Sequence, residues 1–86
     1  MEIDLSSHFV KRARRLSAKE KKELSVRTDL FRENPNDPRL KTHSLTGKLK
    51  SFLSFSINRK KRVKFMWIDK KVALFIDVGP HDEVYR

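Results

Sequence analysis

The chain has 86 residues, 37% of them hydrophobic, and this length fits a single domain spanning residues 1–86 around a thin core. It contains no cysteine, which excludes disulfides, thiolate catalysis and cysteine-based zinc sites. The longest apolar run, Val72 to Ile76, is too short to span a bilayer. We therefore expect a cytoplasmic protein with no membrane partner.

The net charge is +10, from 21 Lys and Arg against 11 Asp and Glu, and the excess lies in the second half of the chain. No acidic residue occurs between Asp37 and Asp69. The basic residues of that stretch are Arg39, Lys41, Lys48, Lys50, Arg59, Lys60, Lys61, Arg62 and Lys64. A surface of one sign predicts an anionic partner: nucleic acid, an acidic protein or anionic lipid.

The first 34 residues predict a short strand followed by two helices. Met1 to Leu5 alternates weakly, as an edge strand does, and a serine pair that can cap a first helix follows it. Ser17 and Glu20 form a capping-box pattern, so a second helix begins just after Ser17. This helix ends by Asn34, because Pro35 cannot continue it. Two helices joined so tightly form a hairpin.

A polar, basic connection follows, and then the hydrophobic period changes to two. Three strands are predicted at Leu53 to Ile57, Arg62 to Trp67 and Val72 to Val78. The short polar links between them favour an antiparallel sheet whose last strand, apolar on both faces, is central. The fold class is therefore α+β in the order β-α-α-β-β-β, with the helical hairpin on one sheet face. We expect Arg62 and Lys64 on the other face, open for binding.

The second half of the chain carries several short motifs in a fixed order. They are Asn34-Pro35, Asp37-Pro38-Arg39-Leu40, His43-Ser44-Leu45-Thr46-Gly47-Lys48-Leu49, Phe55-Ser56-Ile57, Arg62-Val63 and Asp77-Val78-Gly79-Pro80-His81-Asp82-Glu83-Val84-Tyr85. This series resembles the RelE/ParE superfamily of bacterial and archaeal toxins, especially its YafQ-like branch. The resemblance implies the microbial-RNase-like RelE fold and covers most of the chain.

The resemblance also implies a function. A member of this branch is the toxin of a type II toxin-antitoxin system, a metal-independent endoribonuclease (mRNA interferase) that cuts mRNA on the ribosome without a cofactor. Its partners are a cognate antitoxin, with which it forms a hetero-oligomer, and the mRNA and ribosome. By the same likeness, His81 is the acid/base histidine, Tyr85 lies near it, His43 is a second functional histidine and Arg62 contacts phosphate.

The sequence departs from the YafQ-like pattern at two positions. Ile57 and Lys61 stand where that branch has another histidine and an aspartate. Many relatives also have a Tyr-Arg pair where this chain has Lys61 followed by Arg62. The assignment of acid and base therefore does not carry over directly.

Metal-free RNA cleavage requires three roles. A 2′-OH attacks its neighbouring phosphate, so one group accepts a proton, another donates one, and cations stabilise the extra charge on the phosphoryl oxygens. Histidine exchanges protons near neutral pH, and arginine grips two phosphate oxygens in a fixed fork. The base stays open between His43, Tyr85 and a lysine of lowered pKa. The predicted RNA-binding lysines are Lys48, Lys50, Lys60, Lys61 and Lys64.

Structural interpretations stand beside the functional ones. A lone histidine after a strand is commonly a turn residue, and His43 can simply bond the connection that contains it. Phe65 and Trp67 at strand spacing favour a core position over a base-stacking platform. Two other functions fit the charge: a ParE-like toxin that inhibits DNA gyrase and cleaves nothing, for which His81 is dispensable, and a plain nucleic-acid-binding module that is not toxic.

Overall fold

The computed structural model describes residues 1–45 and 51–84. These residues form one sheet, two longer helices and a terminal helical turn. The strands are β1 (Glu2–Leu5), β2 (His43–Ser44), β3 (Leu53–Ser56), β4 (Lys61–Asp69) and β5 (Val72–Pro80). The helices are α1 (Ser7–Arg14), α2 (Ala18–Glu33) and α3 (His81–Val84), and a 3-10 turn spans Pro38–Leu40.

The sheet has the strand order β1-β5-β4-β3-β2, so β5 is a central strand as predicted. Strands β2 to β5 pair antiparallel, and the α+β class is confirmed; the predicted elements occur in the predicted order, with β2 and α3 in addition. No direction was predicted for β1, which runs parallel to β5 with Glu2 opposite Val72. Both helices and three strands separate β1 from β5 in the chain, and a long crossover is what parallel pairing requires.

Both helices begin at the predicted caps. Ser6 accepts a hydrogen bond from the Phe9 amide at 3.0 Å and donates one to the Ile76 carbonyl at 3.0 Å, which fastens the start of α1 to β5. At α2, Ser17 accepts from the Glu20 amide at 3.1 Å, and the Glu20 carboxylate accepts from the Ser17 amide at 3.0 Å. The bond from the Ser17 backbone lowers the pKa of Glu20.

The core lies between the helices and one face of the sheet. Phe31 of α2 is fully buried at its centre, with its ring centroid 5.2 Å from Phe55, 5.0 Å from Phe65 and 5.3 Å from Phe75. The Trp67 ring stacks on Phe31 at 5.8 Å. Phe65 is therefore a core residue and Trp67, partly buried, packs against the core, as the structural interpretation of their spacing predicted.

Two segments differ from the sequence prediction. No strand was predicted in the polar connection before β3, yet His43 pairs with Ser54 and forms β2 with the next residue. The last strand, predicted to end at Val78, continues through Pro80. A proline is tolerated there since the end of a strand does not need its missing N–H. Within residues 1–45 and 51–84, no helix is both long and apolar enough to cross a bilayer.

Candidate active site

Arg62, in β4, is held in a fixed orientation by three oxygen atoms. Its Nε donates to the Ser54 hydroxyl at 3.0 Å, and its Nη2 lies 2.9 Å from the Lys41 carbonyl and 3.3 Å from the Ser54 carbonyl. Ser54 itself is fully buried. A guanidinium with several oriented hydrogen bonds presents its charge in one direction, which is the arrangement that anion recognition requires.

His43 lies against this guanidinium. Its Nδ1 is 3.3 Å from Arg62 Nη2 and 3.1 Å from the Lys41 carbonyl. The sheet register explains this contact. His43 pairs with Ser54, and Arg62 pairs with Ser56, two residues further along the same strand, so both side chains lie on one face of the sheet. The structure therefore brings together two of the residues that the sequence predicted for the site.

His81 is the first residue of α3, immediately after β5. Its place relative to the Arg62 cluster follows from the register, since Gly79, two residues earlier, is the β5 partner of Arg62. The His81 side chain is 59% exposed, and its Nδ1 lies 3.7 Å from the carboxylate of the solvent-exposed Asp82. His81 therefore lies at the end of the sheet where β4 begins, next to Lys61 and Arg62 in the strand order.

The helical turn that carries His81 is attached to the domain at two points. Val84 is fully buried, and the Glu83 carboxylate forms an ion pair with Arg12 of α1. Arg12 also approaches Asp77 of β5, with Nε 3.6 Å from the carboxylate. A side chain at Gly79 would overlap the Arg12 guanidinium, so the glycine permits this close approach.

The predicted RNA-binding lysines occupy different surroundings. Lys64 pairs with Ser54 in the sheet, and its Nζ lies 4.5 Å from the centroid of the Phe52 ring. Lys60 is exposed in the β3–β4 turn. Lys61 is half-buried, with Nζ 3.8 Å from the Glu20 carboxylate, so it contacts α2. Three predicted site residues lie outside the described residues: Lys48, Lys50 and Tyr85.

Sequence reasoning missed three groups that shape the site. Ser54 and the Lys41 carbonyl orient Arg62, and Phe52 lies against Lys64. Strand alternation placed Ser54 among the polar positions of the sheet, but no signal singled it out as the partner of an arginine. In the described part of the chain, no group of three or more His, Asp or Glu residues is arranged to hold a metal ion.

Solved structures share this architecture. YafQ from E. coli strain BL21(DE3) matches with a TM-score of 0.78 at 18% identity, over 99% of this chain and 98% of that one. The fold is that of the RelE/ParE toxins. A YoeB/ParE toxin from Agrobacterium tumefaciens has a TM-score of 0.78 at 14% identity, over 94% and 99% of the two chains.

A toxin–antitoxin complex extends the comparison. The RelB-RelE antitoxin-toxin complex from Methanococcus jannaschii contains a chain with a TM-score of 0.74 at 13% identity, over 95% of this chain and 94% of that one. No protein-family profile and no curated protein matches the sequence. At these identities the shared property is the fold, and the expected RelE/YafQ architecture is confirmed at that level.

Proposed function

We propose that the chain is the toxin of a type II toxin-antitoxin system and that it cleaves mRNA by attack of a 2′-OH on the adjacent phosphate, without a metal. The observation that carries the proposal is the contact between Arg62 and His43 on a toxin fold, with His81 at the same end of the sheet. It supplies one oriented cation and two proton-transfer groups, which are the three roles that this reaction requires.

Arg62 is assigned to the scissile phosphate. During attack the phosphoryl oxygens gain negative charge, and a donor already oriented toward them stabilises that charge without reorganising. The contacts to Ser54 and to the Lys41 carbonyl supply this orientation before substrate binds. Lys64, beside Ser54 in the sheet, adds a second positive charge for the RNA backbone.

His43 is assigned as the base. When its Nδ1–H donates to the Lys41 carbonyl, the ring is the tautomer whose Nε2 keeps its lone pair. That nitrogen takes the proton of the 2′-OH as the O2′–P bond forms. Arg62 Nη2 donates to the same carbonyl at 2.9 Å, so one backbone oxygen holds the phosphate-binding arginine beside the base.

His81 is assigned as the acid. It gives a proton to the O5′ atom as the P–O5′ bond breaks, which leaves a 2′,3′-cyclic phosphate and a 5′-OH end. Its exposed ring can reach a bound RNA chain, and the Asp82 carboxylate at 3.7 Å pairs with the ring when the ring is protonated. A positioned acid or base contributes about a hundred- to ten-thousand-fold to the rate.

A partner is also proposed, an antitoxin with an acidic segment. Solved complexes with the same toxin fold include DinJ-YafQ from E. coli and RelB-RelE from Methanococcus jannaschii. The net charge of +10 favours an acidic segment that competes with RNA for the basic surface. We place this hetero-oligomer in the cytoplasm, where mRNA is translated on ribosomes.

The test compares wild type with His81→Ala, each expressed from a tightly regulated promoter. Growth is followed while the 5′ ends of abundant mRNAs are mapped by primer extension. We expect growth arrest and new 5′ ends within coding regions for wild type, and the loss of both for His81→Ala. Lys70→Ala, at an exposed position in the β4–β5 turn and at the opposite end of these strands, is the control and keeps the cleavage.

Two results would contradict the proposal. Growth arrest without new 5′ ends, unchanged by His81→Ala, would indicate a toxin that acts without cleaving RNA, as a ParE-like gyrase inhibitor does. If growth does not arrest at equal protein levels, nucleic-acid binding without toxicity becomes the function that fits.

A further inference from the structure

The strongest unassigned feature is the contact between α1 and the segment that carries His81. We infer that Arg12 is a positioning residue for His81: it binds Glu83 of α3 and Asp77 of β5 and thereby fixes the helical turn at the end of the sheet. The inference rests on the function proposed above, and it adds a role for a helix that the mechanism does not use.

The first step concerns what anchors α3. It has four residues, which is too short to be stable without tertiary contacts. Of these residues, Val84 is fully buried, whereas the residues at 81–83 are exposed. An apolar anchor at the last position fixes the end of the turn and leaves its first residue, His81, dependent on other contacts.

The second step concerns the geometry of Arg12. Its guanidinium contacts two carboxylates that lie on opposite sides of His81 in the chain, Asp77 and Glu83. The Asp77 side chain is only 13% exposed, and the Arg12 side chain is 26% exposed. The pair with Asp77 is therefore partly shielded from water, which strengthens it, and it orients Arg12 toward the 46% exposed side chain of Glu83.

The third step concerns the packing of Arg12 against Gly79. The guanidinium of Arg12 lies against Gly79, the residue opposite Arg62 in the sheet, where any side chain would displace it. Arg12 therefore contacts strand and turn together, at the junction from which His81 projects. The base of α1 is itself fixed to β5, because Ser6 bonds the Ile76 carbonyl and His8 Nε2 lies 3.3 Å from the Asp77 carboxylate.

The test uses Arg12→Met, which removes the charged fork but keeps the aliphatic stem. Lys11→Met is the matched control, because Lys11 is exposed on the same helix and loses the same charge. Glu83→Gln removes the same ion pair by changing its more exposed member. It remains informative if Arg12→Met fails to fold. Cleavage of an mRNA bound to purified ribosomes is measured against ribosome concentration.

We expect Arg12→Met to lower the maximal cleavage rate about ten-fold or more, since small displacements of a catalytic group have effects of that size. The ribosome concentration at half-maximal rate stays unchanged, and Glu83→Gln shifts the rate in the same direction by a smaller factor. In a His81→Ala background, Arg12→Met has no further effect, because its role is exercised through His81. Amide hydrogen exchange of residues 81–84 rises in Arg12→Met and not in Lys11→Met.

Contrary outcomes separate the inference from the function on which it rests. An equal loss of rate in Lys11→Met, or an additive loss in the His81→Ala background, would overturn the positioning role and leave the nuclease intact. Unchanged exchange at residues 81–84 would overturn it without reference to activity. Wild type that cuts no RNA would overturn the proposed function, while exchange would still report whether Arg12 fixes α3.

Discussion

The two halves of the candidate site are held in different ways. Arg62 and His43 are fixed by the sheet itself, through register and through contacts to the backbone of neighbouring strands. His81 lies on a four-residue turn that depends on buried Val84 and on the pair between Arg12 and Glu83, residues that are 71 positions apart. We therefore expect the half with Arg62 and His43 to be as rigid as the domain, and the half with His81 to loosen before the domain unfolds.

The largest expected effect comes from a core substitution that destabilises both halves of the site together. Phe31→Ala deletes the ring on which four other aromatic side chains pack, at a cost of about 3 to 5 kcal/mol. Denaturant unfolding measures this cost. Val26→Ala on the same helix is the control, because Val26 is 55% exposed and its truncation changes stability by less than about 0.5 kcal/mol. Equal midpoints for the two variants would contradict the central position of Phe31.

The next effect isolates the half that the sheet holds. Arg62→Lys keeps the charge but loses the planar fork, so we expect the cleavage rate to fall about a hundred- to a thousand-fold, as for loss of an oriented donor. Single-turnover cleavage of ribosome-bound mRNA measures the rate. Arg59→Lys, an exposed arginine in the β3–β4 turn, is the control. Similar rates for both variants would mean that Arg62 acts only as a charge.

A smaller effect tests whether the stability of the domain can fall while the geometry of both halves of the site stays unchanged. Ser17→Ala removes the side-chain acceptor of the α2 capping box and costs about 1 kcal/mol. For a domain of this size the melting temperature falls by about 4 to 8 °C. Thermal unfolding measures the shift, and the cleavage rate per folded molecule stays at the wild-type value. A loss of rate well below the melting temperature would mean that the helix cap influences the site.

The smallest effect concerns acid stability. Hydrogen bonds from the Arg39 side chain and backbone lower the pKa of Asp37 to about 2. Because the folded value lies below the unfolded one, the stabilisation is complete above the usual aspartate value near 4 and is lost as the pH falls toward 2. We expect Asp37→Asn to flatten the decline of the melting temperature over this range. An unchanged pH profile would contradict it.

The fold was predictable where local chemistry decides it. The Ser17 capping box and Pro35 set the ends of α2, and the period of two located β3, β4 and β5. The sequence could not predict β2, because a two-residue strand has no periodicity of its own and exists only through pairing with Ser54 and its neighbour. The parallel β1 was equally invisible, since alternation gives no strand direction.

The site was predictable as a list of residues but not as an arrangement. His43 and Arg62 were chosen by resemblance, and their contact depends on a register that only the folded sheet defines. Lys61 was grouped with the RNA-binding lysines, yet it lies beside Glu20 of α2, because its direction follows from which face of β4 it occupies. The pairing of Arg12 with Glu83 has no sequence signal, since nothing local links the two positions.

The place of β5 in the sheet has a consequence for how the protein comes into being. Both β1 and β4 pair with β5, so a chain that ends before Val72 lacks the strand that joins β1 to the rest of the sheet. Such a fragment has no partner for β1, and Phe75, a major part of the core, is missing. The complete sheet therefore forms only after β5 has been synthesised, and a product that ends before Val72 lacks both the completed sheet and His81.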